Sequence, residues 1–212
     1  MRMIISLLTL LLLAGGSTAV RAQTAPLPAA DAPGWVSAKS GGSSAPRGRL
    51  TAPPPFSALL AEMNMVWNRP LDSDYRTIRT PKNDYLADHF GMYSRDERLE
   101  IRFHLIPEDS TDRYFQLPHL RAMTLVMNLT SNADDVPESS SSVISFGDEE
   151  LEIFGADWAK LFTFRPKRSY SEKRHAQLVA TYKEGSGMAY AVLLFDKAPE
   201  TLEGRQLALR FR

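Results

Sequence analysis

Arg98-Leu99-Glu100-Ile101-Arg102-Phe103-His104-Leu105-Ile106 alternates polar and apolar side chains from Arg98 through Leu105. A period of two is the mark of a β-strand with one face on a core, and Pro107-Glu108-Asp109-Ser110 closes it. On this reading Leu99, Ile101, Phe103 and Leu105 point inward. Arg98, Glu100, Arg102 and His104 then face solvent or salt-bridge partners. Just downstream the period changes. Leu117, Leu120, Met123, Thr124 and Met127 recur at helical spacing, which predicts a helix over 117–130 laid on the sheet face that carries Leu99 to Leu105.

The remaining chain supplies further strands and short helices. Asp148 to Phe154 opens with acidic residues, as a helix N-terminus favours. Trp158 to Phe164 reads as extended. His175 to Tyr182 and Met188 to Phe195 flank Glu184-Gly185-Ser186-Gly187, a hairpin signal with glycine where positive φ is needed. Tyr190 to Phe195 is nearly all apolar, as a central strand requires. Upstream, Phe56, Leu59, Leu60 and Met63 predict a short helix. Brief strands are expected at Met65 to Trp67 and Tyr75 to Thr80, with Tyr85 to Tyr93 extended but interrupted at Gly91. Pro199 to Arg212 suits either a helix or a strand. Strands paired through hairpins with helices between them define an α+β class: an antiparallel sheet of about five to six strands covered by two to four helices.

The N-terminal part of the sequence has a different character. Arg2 followed by the apolar run Met3 to Ala14 and the small residues Gly15 to Ala19 reads as a cleavable signal peptide over residues 1–22. The run is too short to span a bilayer, which takes ~20 residues. Two cleavage frames are open, after Ala22 and after Ala19. Residues 23–55 hold half of the 14 prolines together with Ala, Gly and Ser, the composition of a disordered tether. A single globular domain is expected over 56–212.

Charge and cysteine usage narrow the function classes. Lys and Arg number 25 and so do Asp and Glu; with Arg2 and Arg21 in the leader, acidic groups then exceed basic ones by two. That balance speaks against nucleic acid as a partner. There is no cysteine. Disulfides, thiol catalysis, cysteine-metal sites and a lipoprotein anchor are thereby excluded. The expected location is the periplasm or the exterior of a bacterial cell, with no transmembrane segment after the leader.

Candidate chemistry is sparse. The histidines at 89, 104, 119 and 175 show no metal-ligand spacing, so neither a metal nor a cofactor is expected. His89 beside Asp88 is the best single candidate for acid–base work, because a nearby carboxylate raises the imidazole's proton affinity. Gly185-Ser186-Gly187 joins two strands and reads as a turn rather than a nucleophile elbow. Asp148, Glu149 and Glu150 lack a calcium-loop spacing. Arg165, Lys167, Arg168, Lys173 and Arg174, with Tyr170 among them, form the densest basic stretch and the expected binding contact, for an acidic protein face, a headgroup or a glycan. Trp67, Trp158, Phe103 and Phe154 read as core. Phe90, Met92 and Tyr93 suit either the core or an exposed apolar lip.

A resemblance gathers several of these segments. Met65-x-Trp67-x-x-Pro70…Tyr75, Leu99-Glu100-Ile101-Arg102-Phe103, Phe154-Gly155-Ala156-Asp157-Trp158 and Tyr182-Lys183-Glu184-Gly185 leading to Leu194-Phe195-Asp196 look like small exported bacterial proteins of unknown function. The layout is loosely similar to PsbP-like and DcrB-like domains. The resemblance implies an α/β/α sandwich without a shared enzymatic activity, and no catalytic residue carries over. Three functions follow as expectations: a non-enzymatic binding or accessory domain of the cell envelope, a metal-independent hydrolase of envelope polymers centred on Asp88 and His89, or a carrier of small apolar ligands with a cavity lined by Trp67, Phe103 or Phe154.

Overall fold

A computed structural model describes residues 50–112, 115, 117–131 and 141–212. The segment expected as a leader, most of the one expected as a tether and most of the serine-rich segment 131–142 lie outside the described residues. The described chain runs α1 (Pro54–Glu62), β1 (Met65–Trp67), β2 (Arg76–Ile78), β3 (Phe90–Ser94), β4 (Leu99–Pro107), α2 (Pro118–Leu129), β5 (Ser142–Ser145), α3 (Asp148–Phe154), β6 (Trp158–Phe164), β7 (His175–Lys183), β8 (Gly187–Phe195), α4 (Leu202–Gln206) and β9 (Leu209–Phe211). Among the described residues seven strands form one sheet in the order β2-β3-β4-β8-β7-β6-β5, antiparallel at every step, and β1 pairs with β9 in a separate two-stranded ribbon. The class is α+β, as the hairpin spacing predicts. The sheet is wider than expected because β5 is a short edge strand with little apolar signal, paired to β6.

The central strand is β8, and every one of its residues is buried. A strand buried on both faces needs cover on both, and the side chains divide accordingly. On one face Leu99, Ile101, Phe103 and Leu105 of β4 and Ala189, Ala191 and Leu193 of β8 pack with Phe56 and Leu60 of α1, Phe154 of α3 and Leu202 of α4. Each large side chain removed from water contributes ~1.5–3 kcal/mol to this core. On the other face Leu178, Met188, Tyr190, Val192 and Leu194 pack with Ala122, Val126 and Leu129 of α2 and with Tyr170.

This assignment corrects the expected seat of α2. The helix lies on the face opposite to Leu99–Leu105, over β6 and β7. It is also turned away from its expected orientation. Ala122, Val126 and Leu129 are buried, whereas Leu117, Leu120, Met123 and Met127 are 41, 47, 41 and 67 % exposed. The physical reason is steric. This face already carries Tyr170, Tyr190, Phe162 and Phe164, and a helix edge of small and medium side chains fits against them.

Two boundaries also move. Leu50 is buried in the first core, and α1 begins at Pro54 with Pro53 as its N-cap, so residues 50–55 belong to the fold instead of a tether. Proline at the first helical positions lacks only a donor that would be unpaired anyway. The strand expected over Tyr85 to Tyr93 starts only at Phe90. Phe90 and Met92 are buried in the core, which removes the apolar-lip reading. The ambiguous C-terminal stretch holds both elements, α4 and then β9. Glu184 to Ser186 form the β7–β8 turn, with Gly185 at φ 75° and Gly187 at φ 120°.

Candidate functional site

The polar residues of β4 do not face solvent. Asn83 starts the segment that covers them: its side-chain oxygen accepts the N–H groups of Tyr85 (3.0 Å) and Leu86 (2.8 Å). This local turn folds residues 83–89 back along β4, and the N–H of His89 then donates to Phe103 C=O at 2.8 Å. Arg102, inward on the same face, is 2 % exposed. Its Nε donates to Glu100 Oε1 at 2.6 Å and its Nη1 to the Tyr170 carbonyl at 3.1 Å, while the guanidinium lies 4.7 Å over the Tyr170 ring.

Asp88 is the fourth member of this cluster. Its carboxylate is 3.8 Å from Arg102 Nη1, and Asn83 Nδ2 donates to it across 3.4 Å. Both contacts are long. Burial therefore dominates, and with the Glu100 charge it pushes the Asp88 carboxyl up to about 7 against the partial offset from Arg102. Asp88 Oδ1 and the Tyr170 hydroxyl have no hydrogen-bond partner among the described residues.

His89 goes elsewhere. Its Nδ1 accepts the Leu105 N–H at 3.1 Å, so its proton sits on Nε2. The ring stacks on His104 at 5.0 Å and 3°. His104 Nδ1 lies 2.6 Å from the Ala87 carbonyl, which can only accept, so this ring carries its proton on Nδ1 and leaves Nε2 a bare lone pair. Burial holds both imidazoles below their ordinary value, His104 at about 4. The two rings are neutral at pH 7 and form complementary tautomers.

Asp88 and His89 are thus neighbours in sequence with separate partners, since successive side chains of an extended segment diverge. No hydrogen bond joins them among the described residues, and the Asp88 side chain is 2 % exposed. The acid–base pair expected from adjacency is not assembled. Sequence reasoning missed the His89–His104 pair and the Asp88–Arg102–Glu100–Tyr170 cluster. A hairpin register pairing Phe90 with Phe103 brings His89 beside His104, and that was the signal available.

The basic residues divide into two groups. Arg165, Lys167 and Arg168 belong to a turn bound to the C-terminal end of α2: Lys167 N–H donates to Leu129 C=O (2.8 Å), Ser131 N–H to Arg165 C=O (2.9 Å), and Thr130 bridges to Pro166. Lys167 Nζ lies 5.3 Å over the Tyr85 ring. Lys173 instead pairs with Asp196 at 2.8 Å, and the Arg174 N–H donates to the same carboxylate at 3.2 Å. Arg168 and Arg174 are exposed.

Two clefts open beside these elements. One, of about 480 Å³, lies between α2 and the β4–β8 part of the sheet, because α2 roofs β6 and β7 and stops short of β4. His104, Tyr190, Tyr85 and Arg121 line it. The other, of about 380 Å³, lies between α4 and the first face, with Leu202, Phe146 and the hydrogen-bonded pair Gln206–Gln177 in its wall. Phe103 and Phe154 are fully packed and Trp67 stacks edge-on against Phe56 and Phe90, so the residues expected to line a carrier cavity belong to the core and line neither cleft. No group of three or more metal-ligating side chains occurs among the described residues, and none of their helices is long and apolar enough to cross a membrane. No protein-family model matches the chain, and no curated protein matches it.

Proposed function

We propose that this chain is a non-enzymatic binding domain of the bacterial cell envelope, exported by its leader, which docks an acidic protein partner on the outer face of α2. The observation that carries the reading is the exposed stripe Leu117, Leu120, Met123 and Met127. Exposed apolar side chains at helical spacing cost solubility and are kept where another surface covers them. The basic turn Arg165–Arg168 adjoins the end of the stripe through the Leu129–Lys167 and Ser131–Arg165 hydrogen bonds. An apolar stripe with a cationic end suits a partner helix or edge that carries carboxylates beyond its own apolar contacts. The hydrolase reading fares worse, because Asp88 and His89 serve different partners and Asp88 is closed to substrate. The kinship with PsbP-like and DcrB-like domains belongs to the same proposal and rests on the segment order alone.

The test is a pull-down of envelope extract on the full chain, with two variants. Arg165→Glu/Lys167→Glu/Arg168→Glu and Leu120→Ser/Met123→Ser/Met127→Ser should each lose the same acidic protein. Retention of every bound species by both variants rejects the docking face. Loss on charge reversal alone, with polysaccharide in the eluate, assigns the turn to a glycan instead.

A further inference from the structure

We infer that the cleft between α2 and β4–β8 is a binding site for a neutral, mostly apolar small molecule that carries one hydroxyl or N–H donor. This goes beyond docking on the outer face of α2: the two surfaces share Leu120 at their border, but the cleft runs from Arg121 and Leu125 toward the sheet and takes in neither Met123 nor Met127. The volume, about 480 Å³, is in the range of small-molecule sites. The larger part of its wall is Leu86, Ile106, Leu120 and Leu125 with the rings of Tyr85 and Tyr190, so the bulk of an occupant meets hydrocarbon and aromatic surface.

The polar groups set the rest of the ligand's chemistry. His104 lines the cleft with Nδ1 committed to the Ala87 carbonyl. Its Nε2 is therefore an acceptor, and among the described residues no donor bonds to it. Stacking on His89 on one side and Tyr190, 5.9 Å away, on the other fixes the ring plane. The Tyr190 hydroxyl spends its proton on Met188 Sδ at 3.4 Å, which leaves its oxygen as a second acceptor. Side by side on the sheet, these two acceptors select a ligand that donates, because an unpaired acceptor facing an apolar group costs more than the hydrogen bond itself returns; Thr124 and Asn128, on the exposed side of α2, complete the wall where solvent reaches them.

Charge argues for neutrality. Among the described residues Arg121 is the one cation in the wall, and Asp112, also in the wall, holds its Nη1 at 2.8 Å. The guanidinium also rests 4.5 Å over the Phe115 ring. A carboxylate ligand would compete with Asp112 for the Arg121 charge, and a cation would meet an already paired acid. Neither gains.

Calorimetric titration of the full chain with 2-naphthol, 2-methoxynaphthalene and 2-naphthoate tests the inference. The naphthol should bind at least about tenfold more tightly than its methyl ether, the ratio expected for one hydrogen bond at a shielded acceptor. The naphthoate should bind no better than the ether. In nitrogen-15 spectra the unprotonated Nε2 of His104 should shift on addition of the naphthol. Leu125→Trp, which fills the cleft, should abolish naphthol binding, while Met123→Ser/Met127→Ser, which alters the outer stripe and spares the cleft residue Leu120, should retain it. Equal binding of naphthol and ether, preference for the naphthoate, no binding at millimolar concentration, or a protonated Nε2 each overturns the inference. Should Leu125→Trp fail to fold, the three probes on the unaltered chain decide it alone.

Discussion

Replacing Asp88 by asparagine should make the protein more stable at alkaline pH, although it removes a partner of a buried arginine. The carboxyl group is shut away beside Arg102, Glu100 and Tyr170, with its nearest guanidinium nitrogen at 3.8 Å, and burial raises it from 3.8 to about 7. An acid whose pKa is raised on folding prefers to hold its proton in the folded state. Its contribution is therefore most favourable below the unfolded value, declines as pH rises from about 4 to 7, and is flat above that. Between pH 5 and pH 7 the decline spans two pH units at ~1.4 kcal/mol each, so the wild type should lose ~3 kcal/mol from this group alone. An asparagine side chain in its place would be neutral throughout and nearly the same shape. Urea unfolding of Asp88→Asn and wild type at pH 5 and pH 8 measures the difference. The expected result is a variant whose advantage over wild type grows by ~2–3 kcal/mol between pH 5 and pH 8. A variant less stable than wild type at both values would refute the reasoning, because it would mean that the Arg102 contact outweighs burial.

Other consequences are open to direct measurement. Arg205 is 3 % exposed, bonds Glu97 and Asp72, and lies over the Tyr75 ring. Arg205→Met should therefore cost ~3–5 kcal/mol by stripping two carboxylates of their cation, read as a lower urea midpoint. Gly185 and Gly187 both have positive φ, but a Cβ at Gly185 meets nothing within 4 Å and one at Gly187 would lie 2.2 Å from the Ile106 carbonyl oxygen. Gly185→Ala should cost ~1–2 kcal/mol, and Gly187→Ala ~3–4 kcal/mol because the β4–β8 pairing must shift; thermal melts of the two variants rank them. Met127→Asp, on the exposed stripe, should change stability by less than ~0.5 kcal/mol in thermal melts while abolishing capture of the acidic partner.

Much of the architecture was legible in the residues. The alternation over Arg98–Ile106, the glycines at 185 and 187, the acidic start at Asp148 and the apolar Tyr190–Phe195 run each mark an element that the structure contains. Periodicity reports which side chains share a face, though, and not whether the second face is roofed. Glu100, Arg102 and His104 look solvated in a single strand and are covered only because Asn83 turns a distant segment over them. The α2 error has a related cause. Two stripes are apolar, the larger at 117, 120, 123 and 127 and the smaller at 122, 126 and 129, and hydrophobicity favours the wrong one. The choice is made by the bulk of the aromatic residues already on the sheet. The candidate site depends on hairpin register and ring tautomers, which arise only after the strands have paired.

The sheet order β2-β3-β4-β8-β7-β6-β5 has a further consequence for assembly. Two meanders, each built from strands close in sequence, meet along a single seam where β4 joins β8. Opening that seam would uncover two complementary edges, one of them the most apolar strand of the molecule. Separating the two meanders would therefore bare the whole length of β8 as an apolar hydrogen-bonding edge, the kind of edge a folded sheet keeps covered.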